Sequence, residues 1–251
     1  MSNIPIFIVS LKDSIRRASI DKQLNGYDYQ FVDAVDGKTL VDDFINKINA
    51  SEWVRRRYKR SLSAGEIGCS LSHMSIYHMM KVNNIEWAII LEDDVILETD
   101  IYPLVNSDVN FLNKNSLYVL GAQDYLDSEK LIITSRFSDF SINEKIVFKK
   151  TIASSKYIYR TAAYLINQSV AGSIYQFSNN DFCLADDWDV FYKKKFFDSI
   201  YLSNIISHPK PTTTQSLLEA TRSNEKIKRN FIIVLLKSIR NKFRCTVNKF
   251  L

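Results

Sequence analysis

The run Trp87-Ala88-Ile89-Ile90-Leu91-Glu92-Asp93-Asp94-Val95 does most to narrow what this chain can fold into. Apolar residues from Trp87 to Leu91 without alternation describe a strand covered on both faces, as in the middle of an α/β sheet. The strand then ends in consecutive carboxylates, Glu92, Asp93 and Asp94. These repel one another unless a cation, a hydroxyl-rich ligand or open water takes up the charge. Ligands of open α/β sheets collect at the carboxyl ends of strands. Two readings therefore stand side by side, a ligand site and an acidic turn.

The flanking segments supply the parts of an α/β domain. Ile6-Phe7-Ile8-Val9 reads as a first parallel strand, with Asp13 or Ser14 capping a helix that runs through Arg16 and Arg17 to about Leu24. Lys12, Arg16 and Arg17 there suit an anion or a solvated basic face. Tyr29 to Val32 is a second strand, ending at Asp33, where an acid can take a ribose hydroxyl. No glycine-rich G-x-G-x-x-G accompanies it, which argues against an NAD-type site. Trp53 to Arg60 is basic and aromatic, a phosphate contact or a mobile loop beside an acidic site.

Ser63 and Glu66 form a capping box that opens a helix to about Val82. One line along it, Ile67, Leu71, Met74 and His78, reads as a buried face. The other, Glu66, Ser70, His73 and Tyr77, carries groups able to line a site. Further strands are expected at Leu131 to Thr134, Ser116 to Gly121, Ile146 to Phe148, Ala162 to Ile166 and Ser199 to Ile206. Tyr102-Pro103 and Asn113 to Asn115 read as loops flanking a helix. A helix follows Asn167 to about Phe177. A second acidic cluster, Asp186-Asp187-Trp188-Asp189, precedes a short helix to Lys194. It reads as a polar site with an aromatic wall or as an acidic helix N-terminus.

Charge separates the tail from the body. From Glu225 to the end, eight basic residues face one acid, a net +7 within a chain of +5. Ile227, Phe231, Leu235, Ile239, Phe243 and Val247 recur every four residues there. This cationic amphipathic helix reads as an in-plane anchor on anionic lipid, or as a stripe packed on the body. The domain organisation expected is a catalytic body over 1–224 and a tail over 225–251. Cys69, Cys183 and Cys245 are odd in number, scattered and free of Cys-x-x-Cys spacing, which argues against a disulfide framework and a zinc site and for a reducing compartment. The N-terminus lacks a signal-peptide pattern, and no apolar run is long enough to span a bilayer. The expected location is the cytoplasm, peripheral on the inner face of the membrane, with no nucleic-acid partner.

Two acidic clusters and hard oxygen donors suit Mg²⁺ or Mn²⁺ chemistry on a phosphate. A nucleotide-sugar transferase, a metal-dependent nuclease or phosphohydrolase, and a non-catalytic sugar-nucleotide-binding module all fit those parts.

Ile8 to Leu11 with Arg16-Arg17, Phe31 to Gly37, Leu62 to His73 and Ile90 to Val95 resemble, in order, the motifs of glycosyltransferase family 25. That family includes bacterial lipooligosaccharide glycosyltransferases and collagen galactosyltransferases. The resemblance implies a GT-A-like, Rossmann-type mixed sheet flanked by helices, a UDP-sugar donor such as UDP-galactose, and inversion at the anomeric carbon. It implies a lipid-linked oligosaccharide acceptor and Mn²⁺ or Mg²⁺ as cofactor. Glu92 and Asp94 fall on the family's metal motif, with His208 a further ligand by analogy. Asp187 falls on the general base, beside Asp186 and Asp189. Ser10, Arg16, Asp33, Glu66, His73 and Asp93 then belong to the donor site.

Overall fold

The computed structural model describes residues 3–210 and, beyond them, Phe243 alone. Apart from Phe243, the expected tail helix lies outside the described residues. Among these, nine strands form a mixed sheet: β1 (Ile6–Ser10), β2 (Tyr29–Asp33), β3 (Trp87–Glu92), β4 (Ile96–Leu97), β5 (Ser116–Gly121), β6 (Phe140–Ser141), β7 (Val147–Lys150), β8 (Ala163–Asn167) and β9 (Ser199–Ser207). The order is β2-β1-β3-β8-β5-β9-β7-β6, with β4 paired to β9. Helices α1 (Arg17–Gln23), α2 (Asp42–Ala50), α3 (Glu52–Tyr58), α4 (Ala64–Val82), α5 (Tyr102–Val105), α6 (Gln168–Asn180) and α7 (Trp188–Lys193) flank it. This is the mixed α/β sheet expected. It is mixed because β8 runs antiparallel to both β3 and β5, while β1, β2 and β3 are parallel.

Strand alternation sorts the apolar run of β3 onto two cores. Trp87, Ile89 and Leu91 pack with Ile6, Ile8, Leu120 and Leu165 on one face. Ala88 and Ile90 pack with Phe7, Val9, Tyr164 and Ile166 on the other, beneath Ile76, Tyr77 and Met80 of α4. Each fully buried aliphatic or aromatic side chain contributes about 1.5–3 kcal/mol. Glu92 follows on the second face, so the fold turns its carboxylate toward α4.

Helix α4 begins as its capping box predicts, with Ser63 Oγ accepting from the Glu66 N–H and the Glu66 carboxylate accepting from the Ser63 N–H. Its apolar line is buried at Ile67 and Met74 as expected, but the polar line is buried as well. Glu66, Ser70, His73 and Tyr77 are each at most 3% exposed, whereas His78 of the apolar line faces solvent. The polar line can go inside because the sheet offers it partners, above all the Tyr164 hydroxyl.

Four local expectations are corrected. The basic stretch from Trp53 is not a loop but α3, pinned by Arg57 and Tyr58 on the second acidic cluster. Tyr102-Pro103 opens α5, proline being tolerated in a first turn. Leu131 to Thr134 forms no strand, only a 3₁₀ turn over Glu129–Leu131 and a single bridge from Thr134 to Thr151. Neither Asp13 nor Ser14 is the N-cap of α1: Arg16 stands there without a side-chain cap bond, and the Ser14 hydroxyl accepts from the Arg16 N–H at 3.3 Å while donating to Asp93.

The approach of α4 to the loop after β2 depends on Gly68. A Cβ there would lie 2.6 Å from the Val35 carbonyl oxygen and 2.9 Å from the Gly37 nitrogen. The same loop is held by the Val35 N–H donating to Ser72 Oγ at 2.8 Å. Glycine to alanine inside a helix ordinarily stabilises by about 1 kcal/mol. Gly172 of α6, with nothing within 4 Å, should follow that rule. Gly68→Ala should instead destabilise by roughly 1–3 kcal/mol through overpacking. Denaturant melts of the two variants check this, and a stabilised Gly68→Ala protein would refute the close approach.

Candidate active site

Parallel pairing brings the carboxyl ends of the first three strands into line. Val9 registers with Val32 and Glu92, and Ser10 registers with Asp33. The three carboxylates beyond β3 then meet three different surroundings.

Asp93 is a structural carboxylate. It is 8% exposed, and its Oδ2 accepts from Ser10 Oγ at 2.7 Å and Ser14 Oγ at 2.6 Å. Arg16 lies 3.4 Å from its Oδ1 and 2.9 Å from Asp94 Oδ2. Arg17 donates to the Ser10 hydroxyl and carbonyl, pairs with Asp33 and lies over the Phe31 ring. Ser10, Arg16, Asp33 and Asp93 therefore share one edge, as the donor-site expectation requires, with Asp33 the open member.

Glu92 points the other way. Its Oε1 accepts from Thr161 Oγ1 at 2.6 Å and lies 3.6 Å from His73 Nε2. Burial would raise its pKa, but the His73 imidazole, the Thr161 hydroxyl and the charge of His208 outweigh that and hold it below the ordinary range. His73 is completely buried, with Nδ1 2.8 Å from the Tyr164 hydroxyl, which in turn meets Tyr77. Glu66 is not brought to this cluster: its carboxylate is taken by Ser63 and by a bidentate pair with Arg60 at 2.7 and 2.8 Å.

Asp94, half-buried, is the last carboxylate of the tip. His208 Nε2 lies 3.7 Å from its Oδ2, while its buried Oδ1 has no hydrogen-bond partner among the described residues. His208 Nδ1 sits 2.9 Å from the Pro209 carbonyl oxygen. A carbonyl only accepts, so Nδ1 carries the hydrogen, and Nε2 pairs with Asp94 as a cation when protonated and offers it a lone pair when not. With Nε2 unprotonated, the two acceptors beside an unsatisfied carboxylate oxygen fit a cation. The donors, imidazole nitrogen and carboxylate oxygen, suit Mn²⁺ and tolerate Mg²⁺.

The second acidic cluster lines a cavity of about 330 Å³ with Arg57, Tyr157 and Tyr159. Asp187 Oδ2 accepts from Arg57 Nε at 2.8 Å and the Tyr58 hydroxyl at 2.9 Å, and Oδ1 accepts from Arg57 Nη2 at 2.5 Å. These contacts occupy three of roughly four acceptor positions of a carboxylate. Asp189 is held by Ser155 and Lys193. Consecutive residues join the two clusters: the Arg160 N–H donates to Asp186 Oδ2 at 3.1 Å, and Thr161 binds Glu92. Arg160 has φ +67° and its guanidinium holds the Ala122 and Asp124 carbonyls at 2.9 Å. Asp124 in turn accepts from the His208 N–H.

Arg57, Tyr58, Arg160, Thr161 and Tyr164 were absent from the sequence-derived site. Their partners are remote along the chain, and the one local signal was the basic, aromatic composition around Arg57.

Burial and the adjacent Glu92 charge push the Asp94 carboxyl up to about 6, against the pull of His208 and Arg16. A value raised on folding means that the ionised group opposes folding. That opposition is complete above about pH 6, fades as pH falls, and is gone below the unfolded value of about 4. In EDTA, Asp94→Asn should stabilise the protein by on the order of 1–2 kcal/mol near about pH 7.5 and by nothing below about pH 4. Thermal melts at both pH values test this, and a gain independent of pH would show that charge is not the cause.

Comparison with known proteins adds a lineage. The profile of glycosyltransferase family 25 (LPS biosynthesis protein) matches residues 3–188. A glycosyltransferase 25 family member of Aedes aegypti is 31% identical over 146 residues, 57% of this chain and 22% of that protein. Procollagen galactosyltransferase 1-A of Xenopus laevis is 30% identical over 107 residues, 39% of this chain and 17% of that one. Lipooligosaccharide biosynthesis protein lex-1 of Haemophilus influenzae is 26% identical over 184 residues, covering 69% of this chain and 59% of that protein. The chain thus spans about a fifth of the length of the two animal relatives and under two thirds of the bacterial one. With the family profile running from the first strand into the second acidic cluster, the chain belongs to glycosyltransferase family 25.

Proposed function

We propose that the chain is an inverting, metal-dependent hexosyltransferase that moves galactose from UDP-galactose to a lipid-linked lipooligosaccharide or lipopolysaccharide acceptor. The observation that carries the reading is the Asp94–His208 pair, with Nε2 unprotonated two acceptors in opposition beside a buried carboxylate oxygen unpartnered among the described residues. The galactosyl and lipooligosaccharide assignments draw on the names of the frog and Haemophilus relatives.

Asp94 and His208 hold the ion, while Glu92, the third expected ligand, is turned toward Thr161 and His73. Bound there, Mn²⁺ or Mg²⁺ supplies positive charge to steady a departing diphosphate. Arg16 adds a fixed cation at the same edge, held in place by Asp93. Asp33, exposed at the end of β2, takes a ribose hydroxyl. Ser10 and Ser14 keep Asp93 rigid, so that the edge is preorganised. The acceptor sugar enters the cavity against Tyr157 and Tyr159. A carboxylate of the second cluster removes the proton of its attacking hydroxyl, and Asp187 is the first candidate through the open position on Oδ1. Direct displacement by that hydroxyl inverts the anomeric carbon. The basic amphipathic tail holds the protein on an anionic membrane surface, where the acceptor resides.

Incubation with UDP-galactose, Mn²⁺ and a lipooligosaccharide acceptor should release UDP. Asp94→Ala and Asp187→Asn should each lower turnover at least about a hundredfold. Unchanged turnover in either variant removes that residue from its role, and no release with any UDP-hexose removes the donor assignment. For the tail, vesicles containing phosphatidylglycerol should pellet the full chain but not one ending at Asn224; equal pelleting would reject the anchor.

A further inference from the structure

Helix α4 presents Cys69 and His73 four residues apart on one face, and strand alternation turns Glu92 of β3 toward that face. One donor atom from each of the three lies within 4.8 Å of the others. The His73 side chain is fully buried, and its Nε2 has no hydrogen-bond partner among the described residues, stopping 3.6 Å from Glu92 Oε1. Its Nδ1 is supported by Tyr164 and Tyr77, the kind of outer contact that orients a ligating imidazole.

Around a tetrahedral Zn²⁺ of ordinary bond lengths, donors sit roughly 3.3–3.8 Å apart. The His73–Glu92 pair already has that spacing. Cys69 and Glu92 are only partly buried, so their side chains can close the remaining gap of about 1 Å by small rotations.

We propose that Cys69, His73 and Glu92 form a binding site for a transition-metal ion of the Zn²⁺ class, distinct from the Asp94–His208 pair. Thiolate, imidazole and carboxylate select Zn²⁺ over Mg²⁺. The Cys69 thiol passes its proton to solvent as the sulfur–metal bond forms, and water completes the coordination. Cysteine spacing along the chain speaks against a zinc site, but the fold brings one thiol to an imidazole and a carboxylate that are remote or unmarked in that spacing. The site does not depend on which reaction the chain catalyses.

Titrating the full chain with Co²⁺ alone tests it. The expected result is a near-ultraviolet thiolate-to-cobalt absorption that saturates at one equivalent. Zn²⁺ should displace it and Mg²⁺ should not. The band should persist in Asp94→Asn and vanish in Cys69→Ser, which should also bind Zn²⁺ at least about tenfold more weakly. In the unmutated protein, Zn²⁺ should slow iodoacetamide labelling of Cys69, followed by peptide mass spectrometry, at least about tenfold. A cobalt spectrum without the thiolate band, or Cys69 labelling at one rate with and without Zn²⁺, overturns the proposal.

Discussion

Three adjacent carboxylates at the tip of β3 cannot share one environment, and the protein separates them. Glu92 is drawn to the α4 side by Thr161 and His73, and Asp93 is tied to β1 and the following turn by Ser10, Ser14 and Arg16. Asp94 lies between Arg16 and His208. Arg16 bridges Asp93 and Asp94 while Glu92 turns to other partners, which relieves the mutual repulsion and leaves Asp94 Oδ1 without a partner among the described residues. The parallel register of β1, β2 and β3 makes this possible, since it lines up Ser10, Asp33 and Glu92 at a common edge.

The separation also couples distant parts of the chain. Arg160 and Thr161, entering β8, reach the second and first acidic clusters respectively. Arg160 adopts positive φ, a conformation costing a bulky residue about 1–3 kcal/mol, and its guanidinium contacts to Ala122 and Asp124 offset part of that. Asp124 binds the backbone of His208, so one loop network sets the position of both the candidate ligand and the second cluster. The acidic cavity is likewise closed on one side by α3 through Arg57 and Tyr58.

Much of the frame was legible in the sequence. Strands β1, β2, β3 and β5 fall where their apolar runs place them, and α4 begins at its capping box, because local periodicity and capping chemistry act within a few residues. The acidic end of β3 was legible for the same reason. The burial of the α4 polar line was not, because the Tyr164 hydroxyl that satisfies it arrives from β8. Nor was α3, where a basic composition looked like a loop while its arginine partner lay 130 positions away at Asp187.

The sequence by itself determined where the central strand lies, that it ends in unshielded acids, and which family that pattern resembles. These properties follow from side chains close together along the chain. Only the tertiary structure decided the role open to each acid: Asp93 as a strut, Glu92 beside a buried histidine, Asp187 in a bidentate arginine pair, and Asp94 facing His208. A carboxylate's chemistry is set by the charges and donors within a few ångströms of it, and here β8, α3 and the segment after β9 supply them from far along the chain.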